Sequence, residues 1–117
     1  MSPTIRESLQ ELLRNWQDEA YVTPLCQLNQ FQALNHASAN DRQRSVREAI
    51  VKLLDALATH HPIQAQVLQL RFWASQPVMK TAQQLYIAEP TVHKMQASAI
   101  DWIAGQLEEQ EQAAPTG

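Results

Sequence analysis

The sequence predicts an all-α protein, a multi-helix domain with a helix-turn-helix in its C-terminal half. Its 117 residues include only two glycines and six prolines, and Leu, Ala and Gln, which favour helices, are abundant. β-Branched residues form no run long enough for a sheet. Apolar residues recur at helical spacing through most of the chain. This length suits one domain whose core needs neither disulfides nor metals.

The N-terminal region predicts two helices. Thr4 and Glu7 have the spacing of a capping box ahead of an apolar series, so the first helix is expected over about residues 4–18. Thr23 followed by Pro24 predicts the N-cap and the first turn of a second helix. The inward positions of the second helix are expected at Leu25, Leu28, Phe31 and Leu34.

The middle of the chain predicts a loop and two further helices. The polar residues 35–40 predict the loop, with His36 exposed to solvent. A third helix then begins at Asn40 or Asp41, and a fourth is expected over residues 62–73. The third helix is expected to point inward Val46, Ala49, Ile50, Leu53, Leu54 and Leu57. The fourth is expected to point inward Ile63, Val67, Leu70 and either Leu68 or Trp73.

The stretch from Pro77 to Leu107 predicts a short helix, a turn over residues 86–88 and a longer helix that ends near residue 109. Its inward positions are expected at Ala82, Leu85, Ile87 and Val92. A helix-turn-helix places its second helix in the DNA major groove. The outward residues that would then read DNA are Glu89, Thr91, His93, Lys94 and Ala97. An ordinary helical hairpin gives a similar pattern, so the spacing alone leaves both interpretations open.

These patterns divide the chain into three parts. Residues 1–40 form an N-terminal helical extension that either packs on the core or dimerises through its apolar side chains. Residues 41–109 form the helix-turn-helix domain. Residues 110–117 are polar and predict a disordered tail or a linker, which would also suit the N-terminal regulatory domain of a larger protein.

The charge distribution weighs against strong non-specific binding of nucleic acid. Net charge is −3 and the isoelectric point is near 5.7, whereas nucleic-acid-binding domains are usually basic. If Arg71, Lys80 and Lys94 all contacted phosphates, affinity would fall about 40-fold between roughly 50 and 200 mM salt. Arg44 and Arg47, with Arg42, lie at a helix start where the dipole disfavours cations. Either a solvated face that tolerates them, or a phosphate or an acidic partner surface that binds them, accounts for these arginines.

Nothing in the sequence predicts an enzyme, a cofactor or a metal site. Cys26 is the single cysteine and has no histidine at a spacing that would activate it, so a buried inert thiol is expected. His60 and His61 are adjacent and would point about 100° apart on a helix, which does not make a metal pair. The chain shows neither a secretory signal nor an apolar run of about 20 residues. We therefore expect a cytoplasmic protein with no membrane partner.

Three segments resemble region 4 of bacterial RNA polymerase sigma factors. They are VLQLRFW at 67–73, TAQQLYI at 81–87 and EPTV at 89–92. In that family a helix ending in VLxLRF precedes the helix-turn-helix that reads the −35 promoter element. The resemblance covers about residues 41–107. It implies phosphate contacts at Arg71 and Lys80, and groove-facing positions at Thr91, His93, Lys94 and Ala97.

The chain departs from the family pattern at three places. Tyr86 stands where the family usually has glycine, and a left-handed non-glycine residue costs about 1 kcal/mol, so we expect a reshaped turn. Ala88 replaces the usual Ser or Thr N-cap, a loss of about 1 kcal/mol. The segment after Val92 contains few of the Arg and Lys residues that are usual in the family's recognition helix.

The resemblance implies a bacterial, non-enzymatic, transcription-related DNA-binding domain. Its partners would be double-stranded DNA and RNA polymerase or another protein. The alternative is a protein–protein interaction or homodimerisation module on the same fold, with little or no DNA binding. The apolar side chains of the N-terminal extension, at Leu12, Leu13, Trp16, Leu25 and Phe31, either complete one core or serve such an interface.

Overall fold

Two long helices dominate the C-terminal two thirds of the fold in the computed structural model, which describes residues 4–32 and 39–113. Helix α4 spans Ala39–His60 and α7 spans Glu89–Ala113. Between them lie α5 (Pro62–Leu68), which continues as a π-helical segment over Gln69–Trp73, and α6 (Val78–Leu85). The third and fourth helices therefore form close to where the sequence predicts them.

The N-terminal elements are short. They are α1 (Ile5–Arg14), a 3₁₀ turn over Glu19–Tyr21, α2 (Thr23–Cys26) and α3 (Asn29–Gln32). All regular structure in residues 4–32 and 39–113 is helical, so the all-α prediction is confirmed.

Helix α1 begins as predicted and ends early. The Thr4 hydroxyl accepts a hydrogen bond from the Glu7 N–H at 3.1 Å, as an N-cap does. At the other end Asn15 leaves the helical conformation, and its backbone N–H and side-chain amide both donate to the Glu11 carbonyl. Because these bonds close the last turn, the helix stops at Arg14 rather than near residue 18.

The predicted second helix is two single turns. Thr23 is the first residue of α2 rather than its N-cap, and its hydroxyl donates to the Glu19 carbonyl at 3.3 Å. The chain leaves the helical path after Cys26 and resumes it at Asn29. Of the predicted inward positions, Leu25 and Phe31 are buried and Leu28 packs against them at the edge of the core. The predictions for Leu34, His36 and the loop residues 35–38 lie outside the described residues.

Most buried side chains form one cluster, called here the main core. It draws on α1 to α5 and on the C-terminal half of α7. Its buried members are Leu9, Leu12, Leu13, Val22, Leu25, Phe31, Val46, Ile50, Leu54, Leu57, Ala65, Leu68, Ala99, Ile100, Ile103, Ala104 and Leu107. The described part of the N-terminal region thus packs within the same core as the rest of the chain.

The inward face of α4 follows its sequence pattern, whereas that of α5 does so only in part. Val46, Ile50, Leu54 and Leu57 are buried, and the other two predicted positions of α4 pack at the core edge. In α5, Val67 and Leu68 are buried, but Ile63 is 40% exposed, so its inward prediction is wrong. Ile63 lies in the first turn of α5 and packs in neither of the two buried clusters, and Ala65 takes the buried position instead.

Helix α7 runs further than predicted. The Gln30 side-chain amide donates to the Leu107 carbonyl at 2.9 Å, and the Gln30 N–H donates to the Glu111 carboxylate at 3.0 Å. These bonds join α3 to the end of α7, and one of them reaches α7 beyond residue 109. Residues 110–113 are therefore helical rather than a tail, and residues 114–117 lie outside the description.

Candidate nucleic-acid interface

Helix α6, the turn after it and the first turns of α7 form the helix-turn-helix. Its interior, called here the HTH core, has three buried side chains, Val67, Ala82 and Val92. Four partly buried ones pack around them, from Val78, Leu85, Ile87 and Met95. The four inward positions that the sequence predicts for this motif all lie in this cluster. The core seals one side of the α7 N-terminus and leaves the opposite side to solvent.

The turn of the helix-turn-helix contains one residue, Tyr86, in the left-handed conformation. Tyr86 has φ 58° and ψ 42°, its N–H donates to the Gln83 carbonyl, and the Ile87 N–H donates to the Ala82 carbonyl at 3.0 Å. These two bonds and the packing of Ile87 in the HTH core form a Schellman motif. The expectation of a reshaped turn is therefore wrong, because the motif holds tyrosine in a conformation that glycine adopts more easily.

Helix α7 starts without a side-chain cap. Ala88 offers no side-chain acceptor, and the first backbone bond of the helix runs from the Val92 N–H to the Ala88 carbonyl at 3.1 Å. Pro90 has no N–H, so the Glu89 and Thr91 N–H groups are the donors of the first turn. Ala88, Glu89 and Pro90 are exposed. Such an end suits an anion, including a phosphate.

The predicted DNA-contacting residues fall into three groups. Lys80, His93 and Lys94 are exposed, whereas Thr91 and Ala97 are half-buried. Arg71 is half-buried and already bonded within the chain. The structure therefore leaves the first group open to solvent and engages the last residue internally.

Arg71 donates to two acceptors. Its Nη1 lies 2.7 Å from the Gln76 carbonyl oxygen, and its Nε lies 3.1 Å from Oε1 of Gln96 on α7. The Gln76 side-chain amide in turn donates to Oε1 of Gln84 on α6 at 3.2 Å. Sequence reasoning missed the three glutamines, because polar side chains that bond between separate elements have no periodic signature.

The N-terminal helices contact α7 from its middle to its C-terminal end. Arg6 forms an ion pair with Asp101, and Gln30 bonds to the helix near its end. The α7 residues buried in the main core begin at Ala99. This geometry leaves His93 and Lys94 exposed on the first two turns.

The local charge is more favourable than the net charge of the chain. The sequence from 77 to 107 contains Lys80 and Lys94 against Glu89 and Asp101. Asp101, in the middle of α7, is paired with Arg6 of α1. Residues 77–100 therefore carry two lysines against the single carboxylate of Glu89.

Comparison with known proteins does not assign the chain to a family. No family model, curated protein or solved structure matches the chain. The likeness to sigma region 4 accordingly rests on the residues themselves and stays a prediction. Among the described residues, no three metal-ligating side chains come together, and none of the helices has the length and apolar character needed to cross a bilayer.

Proposed function

We propose that this chain is a transcription-related DNA-binding domain of the sigma region 4 type. The observation that supports it best is the uncovered start of α7, where His93 and Lys94 are exposed while Val92 is sealed in the HTH core. A recognition helix needs this combination of a fixed inner face and a free outer face. His93 and Lys94 would approach base edges and phosphates, and Thr91 and Ala97 would line the contact.

Phosphate contacts in this proposal come from few groups. Lys80 is exposed in the first turn of α6, and the uncapped N–H groups of α7 suit a phosphate oxygen. Two lysine contacts give a log–log salt slope of about −1.8, so affinity falls about 12-fold between roughly 50 and 200 mM salt. Such weak anchoring suits a domain that a protein partner, such as RNA polymerase, delivers to its DNA.

Fluorescence anisotropy with mixed duplex DNA at about 50 mM salt tests the proposal. Lys94→Ala is expected to weaken binding about tenfold and to make the salt slope less negative by about 0.9. Lys52→Ala is the matched control, because Lys52 is an exposed lysine on α4 and should leave both quantities unchanged. If the parent protein shows no saturable binding at tens of micromolar, or if both variants behave alike, the proposal fails.

A protein interaction module is the second candidate. Met79 is 61% exposed and Tyr86 is 95% exposed, and both belong to the helix-turn-helix. Exposed large apolar side chains are typical of protein interfaces. If copies of the chain pair through them, sedimentation equilibrium will show a concentration-dependent mass, and Met79→Ser will reduce it. A strict monomer at high concentration would exclude the homodimer.

A further inference from the structure

The side chains of Arg71, Gln76, Gln84 and Gln96, together with the Gln76 carbonyl, are called here the Arg71 network and connect four segments around the helix-turn-helix. Arg71 lies on the π-helical segment, Gln96 on α7, Gln84 on α6 and Gln76 in the loop that enters α6. The hydrogen bonds run from Gln96 through Arg71 and Gln76 to Gln84, with donor–acceptor distances from 2.7 to 3.2 Å. A continuous polar path therefore links the first part of α7 to α6.

An unusual backbone brings the network together. The Ala74 N–H donates to the Gln69 carbonyl, a π-helical spacing, and the Gln76 N–H donates to the Leu70 carbonyl at 2.8 Å. Ser75 between them has φ 54°, in the left-handed region. This path folds the loop back along the helix end, so that the Gln76 carbonyl meets the Arg71 guanidinium.

The hydrogen-bond chemistry of the Arg71 network suits a role in holding α7 in position. Both acceptors of Arg71 are neutral oxygens, so it makes charge-assisted hydrogen bonds without an ion pair. The planar guanidinium holds two acceptors in fixed directions, which a lysine ammonium does not. Among the described residues, the HTH core has three buried apolar side chains to orient α7, and the network supplies a directional restraint beside them.

We infer that Arg71 is a positioning residue of the helix-turn-helix. Through Gln96 and Gln76 it fixes the first turns of α7 relative to α6, and it does not bind a DNA phosphate. The DNA part of this inference rests on the proposed function. The positioning part concerns the free protein and is tested without DNA.

Amide hydrogen exchange on the free protein is the first test. Arg71→Ala and Gln96→Ala are each expected to speed exchange of the amides of residues 92–97 about tenfold, the scale of one charge-assisted hydrogen bond. Amides of residues 100–107 in the main core should keep the parent rates. The double variant should exchange no faster than Arg71→Ala, and Arg71→Lys should be intermediate. Parent-like rates over residues 92–97 in both single variants would overturn the positioning role.

DNA affinity across a salt series is the second test. Gln96→Ala removes no charge, so positioning predicts a severalfold loss of affinity with the salt slope of the parent. Arg71→Ala should show the same slope, whereas Lys94→Ala should make it less negative by about 0.9. An Arg71→Ala slope that changes like that of Lys94→Ala, together with parent affinity in Gln96→Ala, would make Arg71 a phosphate contact. If the parent protein binds no DNA, the proposed function fails and the exchange rates alone decide the role of Arg71.

Discussion

The main core and the HTH core differ in how much apolar surface holds them. Within the described residues, 17 buried side chains form the main core and three form the HTH core. Apolar burial is the dominant stabilising term in a small domain, so local stability should follow this difference. The main core should therefore set the global stability, while the helix-turn-helix opens at lower free energy. In the helix-turn-helix, hydrogen bonds such as those of Arg71 therefore contribute more to holding the helices in their relative orientation.

The two regions are nevertheless joined through shared helices. In α5, Leu68 faces the main core and Val67 faces the HTH core. In α7, Val92 lies in the HTH core and Ala99 starts the part that belongs to the main core. The main core thus serves as a rigid scaffold for the less stable helix-turn-helix. Single substitutions in each region should show that the two respond separately.

The largest expected effect is in the main core. Leu12 is fully buried, and Leu12→Ala should lower the free energy of unfolding by about 2–5 kcal/mol, through lost burial and the cavity left behind. Urea unfolding followed by circular dichroism measures this. Ile63→Ala removes the same number of carbon atoms from a side chain that is 40% exposed and should cost less than about 1 kcal/mol. Equal losses in the two variants would mean that α1 does not belong to the main core.

A smaller and local effect is expected in the HTH core. Val92→Ala should cost about 2 kcal/mol, because two enclosed methyl groups are lost. Hydrogen exchange should show faster opening of α6 and the first turns of α7, with the amides of α4 close to the parent. If α4 loses protection to the same extent as α6, the two cores unfold as one unit and the contrast between them is wrong.

Periodic features were predictable from the sequence. The inward positions of α4 and of the helix-turn-helix follow helical spacing, and Thr4 caps α1 where the pattern places it. These features depend on local chemistry and on which face is apolar. Helix ends were less predictable, because Asn15 stops α1 and Gln30 extends α7 through particular side-chain bonds.

The candidate site was predictable only in outline. Exposure of His93 and Lys94 follows from their positions about 100° and 200° around the helix from the buried Val92. The internal bonding of Arg71 does not, because it depends on the π-helical segment and on a left-handed Ser75. Such conformations arise from tertiary packing rather than local preference. The resemblance to a family implies a phosphate contact at Arg71, and the geometry gives that residue two protein acceptors instead.

The turn of the helix-turn-helix offers a gain in stability. Tyr86→Gly should stabilise the protein by about 1 kcal/mol, because the left-handed backbone then bears no Cβ and the exposed ring contributes little packing. Thermal unfolding should show a midpoint about 4 °C higher. Tyr86→Ala is the control, since it removes the ring and keeps the Cβ. A gain of the same size in Tyr86→Ala would place the cost in the ring rather than in the backbone.

The smallest effect concerns the start of α7 and links stability to the proposed contact with DNA. Ala88→Ser supplies an N-cap acceptor and should stabilise the protein by about 0.5–1 kcal/mol. Because the second helical residue is Pro90, the Thr91 N–H is the donor within reach of that hydroxyl. Ala113→Ser, at an exposed position at the C-terminal end of α7, should change the free energy of unfolding by a few tenths of a kcal/mol at most.

Ala88→Ser should stabilise the fold but weaken the binding of DNA. A serine hydroxyl that accepts from the Thr91 N–H occupies a donor that a phosphate would otherwise use. Ala88→Ser should therefore raise the midpoint of thermal unfolding while lowering DNA affinity severalfold, and Ala113→Ser should change neither. Higher stability with parent affinity would show that no phosphate uses this N–H. The contact of α7 with DNA would then depend on the side chains of His93 and Lys94 alone.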